Sequence, residues 1–174
     1  VKVPEDQRML FGGQDWHLLP ADSMWALVLW YRFHRQTEEL GKVPDADKKF
    51  IVLSHTTSDG ISLLAKKHGL GVMKTWVGFA ALAAAVRDVW EKRDIPDLTE
   101  GREEGAEFSH PFVCEYQDIK VGQRSINEAA MEQSNGFSIL GGPPPDARSL
   151  GVGGHVRDKD GTLAALLVAE IAAW

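Results

Sequence analysis

Two short segments combine polar groups of complementary kinds. Met131-Glu132-Gln133-Ser134-Asn135-Gly136 places a carboxylate and a hydroxyl two residues apart, with a glycine close behind. In an extended chain such residues point to one side, and glycine lets the backbone approach a ligand. A carboxylate can accept hydrogen bonds from two neighbouring sugar hydroxyls, and a serine can add a third contact. Taken alone, the plainer reading of this segment comes first: a turn leading into the apolar run Phe137 to Leu140.

The second segment is Gly153-Gly154-His155-Val156-Arg157-Asp158-Lys159-Asp160-Gly161. It opens a helix, and a helix N-terminus offers unpaired N–H groups. His155, Arg157 and Lys159 add positive charge at alternate positions, a seat for a phosphate dianion. A lysine also serves as a proton shuttle where burial or a nearby cation lowers its pKa. The alternative is a solvated helix cap in which Asp158 and Asp160 neutralise the bases, and spacing alone favours it.

The elements that must carry these segments alternate between helix and strand, which sets an α/β class. A helix is expected from about Ala21 to Glu39, entered through Pro20 and ended by Gly41. Its middle, Trp25 to Tyr31, is apolar on nearly all sides and so buried on more than one face, against a neighbouring domain. Phe50-Ile51-Val52-Leu53 reads as a central strand. Ser58 caps a helix with Ile61, Leu64, Ala65 and His68 at helical spacing, ended by Gly69. Val72 to Thr75 reads as a second strand, and Gly78 leads into a helix with Phe79, Leu82, Ala83, Val86 and Trp90 on one face. The charged stretch from Arg93 to Ser109 reads as a surface loop. Phe112 to Tyr116 and Phe137 to Leu140 complete four strands. Gly141 to Gly154, rich in glycine and proline, is a loop. A last helix from about Thr162 to Trp174, capped by Asp160, shows an apolar face of Leu163, Leu166, Leu167, Ile171 and Trp174.

Composition bounds the function classes. The 174 residues are 44% hydrophobic and 25% charged, a globular profile long enough for a proper core. A net charge of −6 and only scattered basic pairs argue against nucleic acid as a partner. No apolar run nears the roughly 20 residues of a membrane helix. No signal peptide is visible, which favours the cytoplasm. The single cysteine, Cys114, excludes an internal disulfide and a Cys-based zinc cage, and its apolar neighbours read it as a buried, inert thiol. The start Val1-Lys2-Val3-Pro4 and the terminal Trp174 point to a piece of a longer protein.

Glu132-Gln133-Ser134-Asn135-Gly136 followed by His155-Val156-Arg157-Asp158-Lys159-Asp160-Gly161 resembles the α-D-phosphohexomutases, the phosphoglucomutases and phosphomannomutases. There a Glu-x-Ser sugar loop precedes an Arg-(Asp/Glu)-Lys-Asp-Gly helix start. Ser54-His55-Thr56-Thr57-Ser58 resembles the strand-to-helix turn of that family's third domain, and Thr75-Trp76-Val77-Gly78-Phe79 its Thr-x-x-Gly-Phe/Trp loop. The resemblance covers about Pro20 to Trp174, with residues 1–19 as the tail of a preceding domain and 20–174 as a sugar-phosphate-binding domain.

The resemblance implies a mixed four-stranded sheet flanked by helices, in one of several domains lining a common cleft. It implies transfer of a phosphoryl group between the 1- and 6-positions of a hexose phosphate, with Mg²⁺ in the parent enzyme. Glu132 and Ser134 would hold sugar hydroxyls, and Thr75 and Gly78 would touch the sugar. Lys159 would be the acid/base or phosphate contact, with His155 and Arg157 lining the same cleft. The partners implied are a hexose phosphate and the remaining domains. The family's magnesium loop falls on Val3, Glu5, Gln7 and Arg8, where only Arg8 matches by identity, so no metal ligand is assigned. Its phosphoserine loop and its Ser-Gly-Thr phosphate loop are absent. The isolated chain is therefore expected to bind without turnover, and a stand-alone, non-catalytic sugar-phosphate-binding module is the alternative.

Overall fold

The computed structural model describes residues 1–91, 124–134 and 136–174, and residues 112–115 by their backbone. The helices are α1 (Ala21–Leu40), α2 (Asp59–Lys67), α3 (Phe79–Trp90) and α4 (Gly161–Ala173), and the strands are β1 (Lys49–Ser54), β2 (Gly71–Thr75), β3 (Phe112–Glu115), β4 (Ile126–Glu132) and β5 (Gly136–Ser138). The expected surface loop at 93–109 and the Cys114 side chain lie outside the described residues.

Local chemistry accounts for several helix ends. Pro20 enters α1, and Gly41, at φ 73°, returns its N–H to the Thr37 carbonyl. The Ser58 hydroxyl accepts the Gly60 N–H at the head of α2 (3.2 Å). The Asp160 carboxylate accepts the Leu163 N–H at the head of α4 (2.9 Å). The two side-chain caps each satisfy a donor that the helix itself leaves open.

The five strands form one mixed sheet in the order β3-β2-β1-β4-β5. Central β1 runs parallel to β2 and β4, while β3 and β5 add antiparallel edges. Strand alternation splits the core into two layers. Ile51, Leu53, Val72 and Met131 pack on one side with Val28, Leu29 and Phe33 of α1, Ile61 of α2 and Leu167 of α4. Phe50, Val52, Met73 and Ala130 pack on the other side with Phe79, Leu82 and Val86 of α3. The α/β class and the mixed sheet flanked by helices are thus as expected.

The strand added to the four expected is β4. Its sequence, Ile126-Asn127-Glu128-Ala129-Ala130-Met131-Glu132, holds three acidic or amide side chains and two alanines, a composition poor in strand formers. A bulge explains the pattern. Phe50 lies opposite Asn127 and Ile51 opposite Ala129, so Glu128 is the extra residue. Its buried carboxylate pairs with Arg32 of α1 and with Lys49 (3.1 Å). Burial alone would raise the Glu128 pKa, but the two cations outweigh it and hold the carboxyl below its ordinary range. Asn127 is fully buried, and its amide serves the Ala129 carbonyl (3.0 Å) and the Leu140 N–H (3.2 Å).

Two further details differ from the sequence reading. The strand expected at Phe137 to Leu140 ends at Ser138. The inward face of α4 is Leu163, Ala164, Leu167, Val168 and Ile171, while Leu166 is exposed. Trp174 packs edge-on to Tyr31 and close to Trp30 and His34 of α1. Among the described residues, no helix is long and apolar enough to cross a membrane.

Candidate functional site

The carboxyl ends of β1, β2 and β4 lie side by side, and the chain leaves β1 toward β2 while β4 flanks its other edge. Such a switch point opens a crevice where α/β sheets bind ligands. The loops after these strands are 55–58, 76–78 and 133–134. They are tied together: the His55 N–H donates to the Thr75 carbonyl (2.8 Å) and the Gln133 N–H to Thr57 Oγ1 (3.2 Å). The Thr57 hydroxyl is in turn 2.7 Å from that of Ser54.

Glu132, the last residue of β4, is buried at this end of the sheet. One carboxylate oxygen accepts the Gly78 N–H at the head of α3 (2.8 Å). An anion at a helix N-terminus is electrostatically favourable, so the side chain acts as a cap supplied by a distant strand. The Glu132 carbonyl accepts the Trp25 indole N–H (3.0 Å), and that indole stacks on Phe137. The second carboxylate oxygen has no hydrogen bond to a described residue.

Gly78, at φ 116°, adopts a backbone conformation that side chains disfavour. Phe79 follows it and lies against Gly136, where a Cβ would come within 2.7 Å of the ring. Lys159 Nζ stands 5.3 Å from the centroid of the same ring, a cation–π distance, and is 2.8 Å from Asp158. Phe79 is therefore the hub: Glu132 caps its helix, Gly136 receives its ring, and Lys159 stands over it.

The other expected residues lie as follows. Thr75 is buried, with its hydroxyl donating to the Trp76 carbonyl (2.8 Å). Ser134 is exposed in the turn after Glu132, so the two do not share one extended segment. His155 is exposed, with Nδ1 3.7 Å from Asp160. Arg157 turns the other way, to the Ser149 carbonyl, and lines a cavity beside α3. Glu132, Gly78 and Lys159 gather at one place, and Arg157 does not join them.

Sequence reasoning missed Phe79 as the hub, Trp25 and Thr57 as supports, and Trp76. The Trp76 indole is exposed beside the site and stands edge-on to His55. A signal for Trp76 was present, since a large aromatic in a short strand-to-helix loop presents a flat apolar surface at a strand end. The support from Trp25 had none, because 107 residues separate it from Glu132.

Among the described residues, no group of three or more His, Cys, Asp or Glu side chains could hold a metal ion. Arg8 of the N-terminal segment pairs with Asp15 (2.7 Å). The donors among the described residues do not gather into a magnesium site. Comparison with family models, with curated proteins and with solved structures gives no match for this chain.

Proposed function

We propose that this chain is the hexose-phosphate-recognition domain of a phosphoglucomutase or phosphomannomutase, a cytoplasmic enzyme that moves a phosphoryl group between the 1- and 6-positions of the sugar. The observation that carries the reading is the convergence of Glu132 and Lys159 around Phe79 at the open end of the parallel strands. The uncommitted Glu132 oxygen accepts from sugar hydroxyls, and Lys159 meets the phosphate. Ser134, at the edge of the same turn, adds a hydroxyl contact. Lys159 is this phosphate contact or, in the assembled cleft of the parent enzyme, the acid/base, and His155 stands on the same segment. The phosphoryl donor, the Mg²⁺ it requires and the rest of the cleft belong to other domains of the parent enzyme. The isolated chain accordingly binds without turnover.

One wall of a cleft binds weakly, with a dissociation constant in the millimolar range as an order of magnitude. The test is the ³¹P line width of glucose 6-phosphate titrated with the chain. Saturable broadening, reduced in Lys159→Ala and displaced by mannose 6-phosphate, is expected. Unchanged lines at millimolar protein would end the proposal. For the parent enzyme, the check is conversion of glucose 1-phosphate to glucose 6-phosphate by a longer protein containing this chain.

A further inference from the structure

A cavity of about 900 Å³ lies along the flank of α3, away from the turn that carries Glu132. Its floor is the helix itself, kept low by Ala83 and Ala84, and its far wall is Pro143 and Pro144 of the long loop. Trp90 closes one end and is fixed there, because its indole N–H donates to the Ser125 carbonyl (3.0 Å). A volume of this order is the size that small-molecule sites use, about 300–1,000 Å³ with a mostly apolar lining and a few polar groups.

The wall is built by close backbone packing. Gly141 pairs with Asn127 and Gly142 with Val152 in antiparallel bridges. A Cβ on Gly151 would fall 2.0 Å from the Leu140 carbonyl oxygen, so the loop can close only with glycine there. The cavity therefore exists before any ligand arrives.

Its charged groups are not equally committed. The Asp146 carboxylate is taken up by its own turn, accepting the N–H groups of Arg148 (2.8 Å) and Ser149 (2.9 Å) and the Ser149 hydroxyl (2.7 Å). Glu91, also in the lining, has a partner of its own. Arg157 gives one nitrogen to the Ser149 carbonyl, lies within electrostatic reach of Asp146, and keeps the other donors of its fork. The Arg87 side chain makes no hydrogen bond or ion pair with a described residue. The lining thus carries two guanidinium groups with open donors, beside the engaged carboxylates of Asp146 and Glu91, above an apolar floor.

We infer that this cavity binds a small organic anion, its apolar body between α3 and the two prolines and its carboxylate, sulfonate or phosphate on Arg87 and Arg157. The inference stands apart from the hexose-phosphate reading and assigns Arg157 to this second site. The test titrates the chain with 1-naphthyl phosphate and with neutral 1-naphthol, following the Ala83 and Ala84 methyls and the Trp90 indole N–H by NMR. Naphthyl phosphate shifts all three and binds about tenfold tighter than naphthol. Arg87→Glu removes that advantage, and Ala84→Phe, which fills the floor, removes binding of both probes. A circular dichroism melt of each variant confirms that it is folded. Equal affinity for the two probes, unmoved resonances, or full binding by folded Ala84→Phe would each overturn the inference. Lys159→Ala leaves naphthyl phosphate binding intact. A parallel loss there would place the probe at the hexose-phosphate site and overturn the inference as well.

Discussion

Glu132 has a structural duty and, in the proposed function, a ligand duty, and the two respond differently to substitution. Its carboxylate accepts the Gly78 N–H at 2.8 Å from a buried position. Glu132→Ala leaves that N–H without its partner at the head of α3. A hydrogen bond to a charged group contributes about 1.5–3 kcal/mol, so the unfolding free energy falls by about that amount. Glu132→Gln keeps an oxygen acceptor of the same reach and gives up only the charge. Its loss of stability is below about 1 kcal/mol, the scale of a helix-dipole contact. Sugar binding is hurt by both changes, because the amide is the weaker acceptor for hydroxyls. The Ala variant weakens glucose 6-phosphate binding about 10- to 150-fold, and the Gln variant shows a clear loss despite near-normal stability. Urea denaturation and ligand titration on the same three proteins supply both numbers. Equal stability of wild type and Glu132→Ala would refute the capping argument. Undiminished binding by Glu132→Gln would refute the ligand role of the charge.

Three other outcomes follow from the geometry. Glu128→Gln strands Arg32 and Lys49 at the bulge and costs about 3 kcal/mol at pH 7. The folded-state pKa of Glu128 lies below its unfolded value of 4.5, so the carboxylate's contribution is full above that value and is lost as pH falls through the folded pKa. The stability gap between wild type and Glu128→Gln, read from denaturation curves, therefore narrows below pH 4.5, and a gap independent of pH would contradict the pairing. Gly136→Ala drives a methyl to within 2.7 Å of the Phe79 ring and costs about 1–3 kcal/mol, read as a lower thermal midpoint. Lys159→Ala, at an exposed side chain, leaves the midpoint unchanged within about 0.5 kcal/mol and weakens phosphate-dependent binding, which ³¹P titration measures.

What could be read from the residues follows the range of the forces involved. Pro20 and Gly41 around α1, Ser58 before α2 and Asp160 before α4 act within a turn of the helix they bound, and all are legible in sequence. Phe50 to Leu53 is apolar without interruption because both faces of β1 are covered, and that too is visible. β4 was not, because its stabilising contacts are distant: Glu128 depends on Arg32, 96 residues away, and without it the segment looks too polar for a strand. The same limit applies at the site. The types and order of Glu132 and Lys159 mark them as a pair worth testing, while Phe79 as their common neighbour follows only from the packing of α3 on the sheet, which brings its ring against Gly136. The direction of Arg157 was equally hidden, since its spacing from Lys159 fits one cleft and its carbonyl partner, Ser149, lies in a loop whose path is set by glycine contacts.

The claim that Glu132 and Lys159 serve one ligand is tested most directly by amide chemical shifts during titration with glucose 6-phosphate. The Gly78 N–H, which reports on the Glu132 carboxylate, and the Lys159 N–H should move together and reach half-saturation at one concentration. Movement of either without the other, or two different half-saturation points, would contradict a shared site.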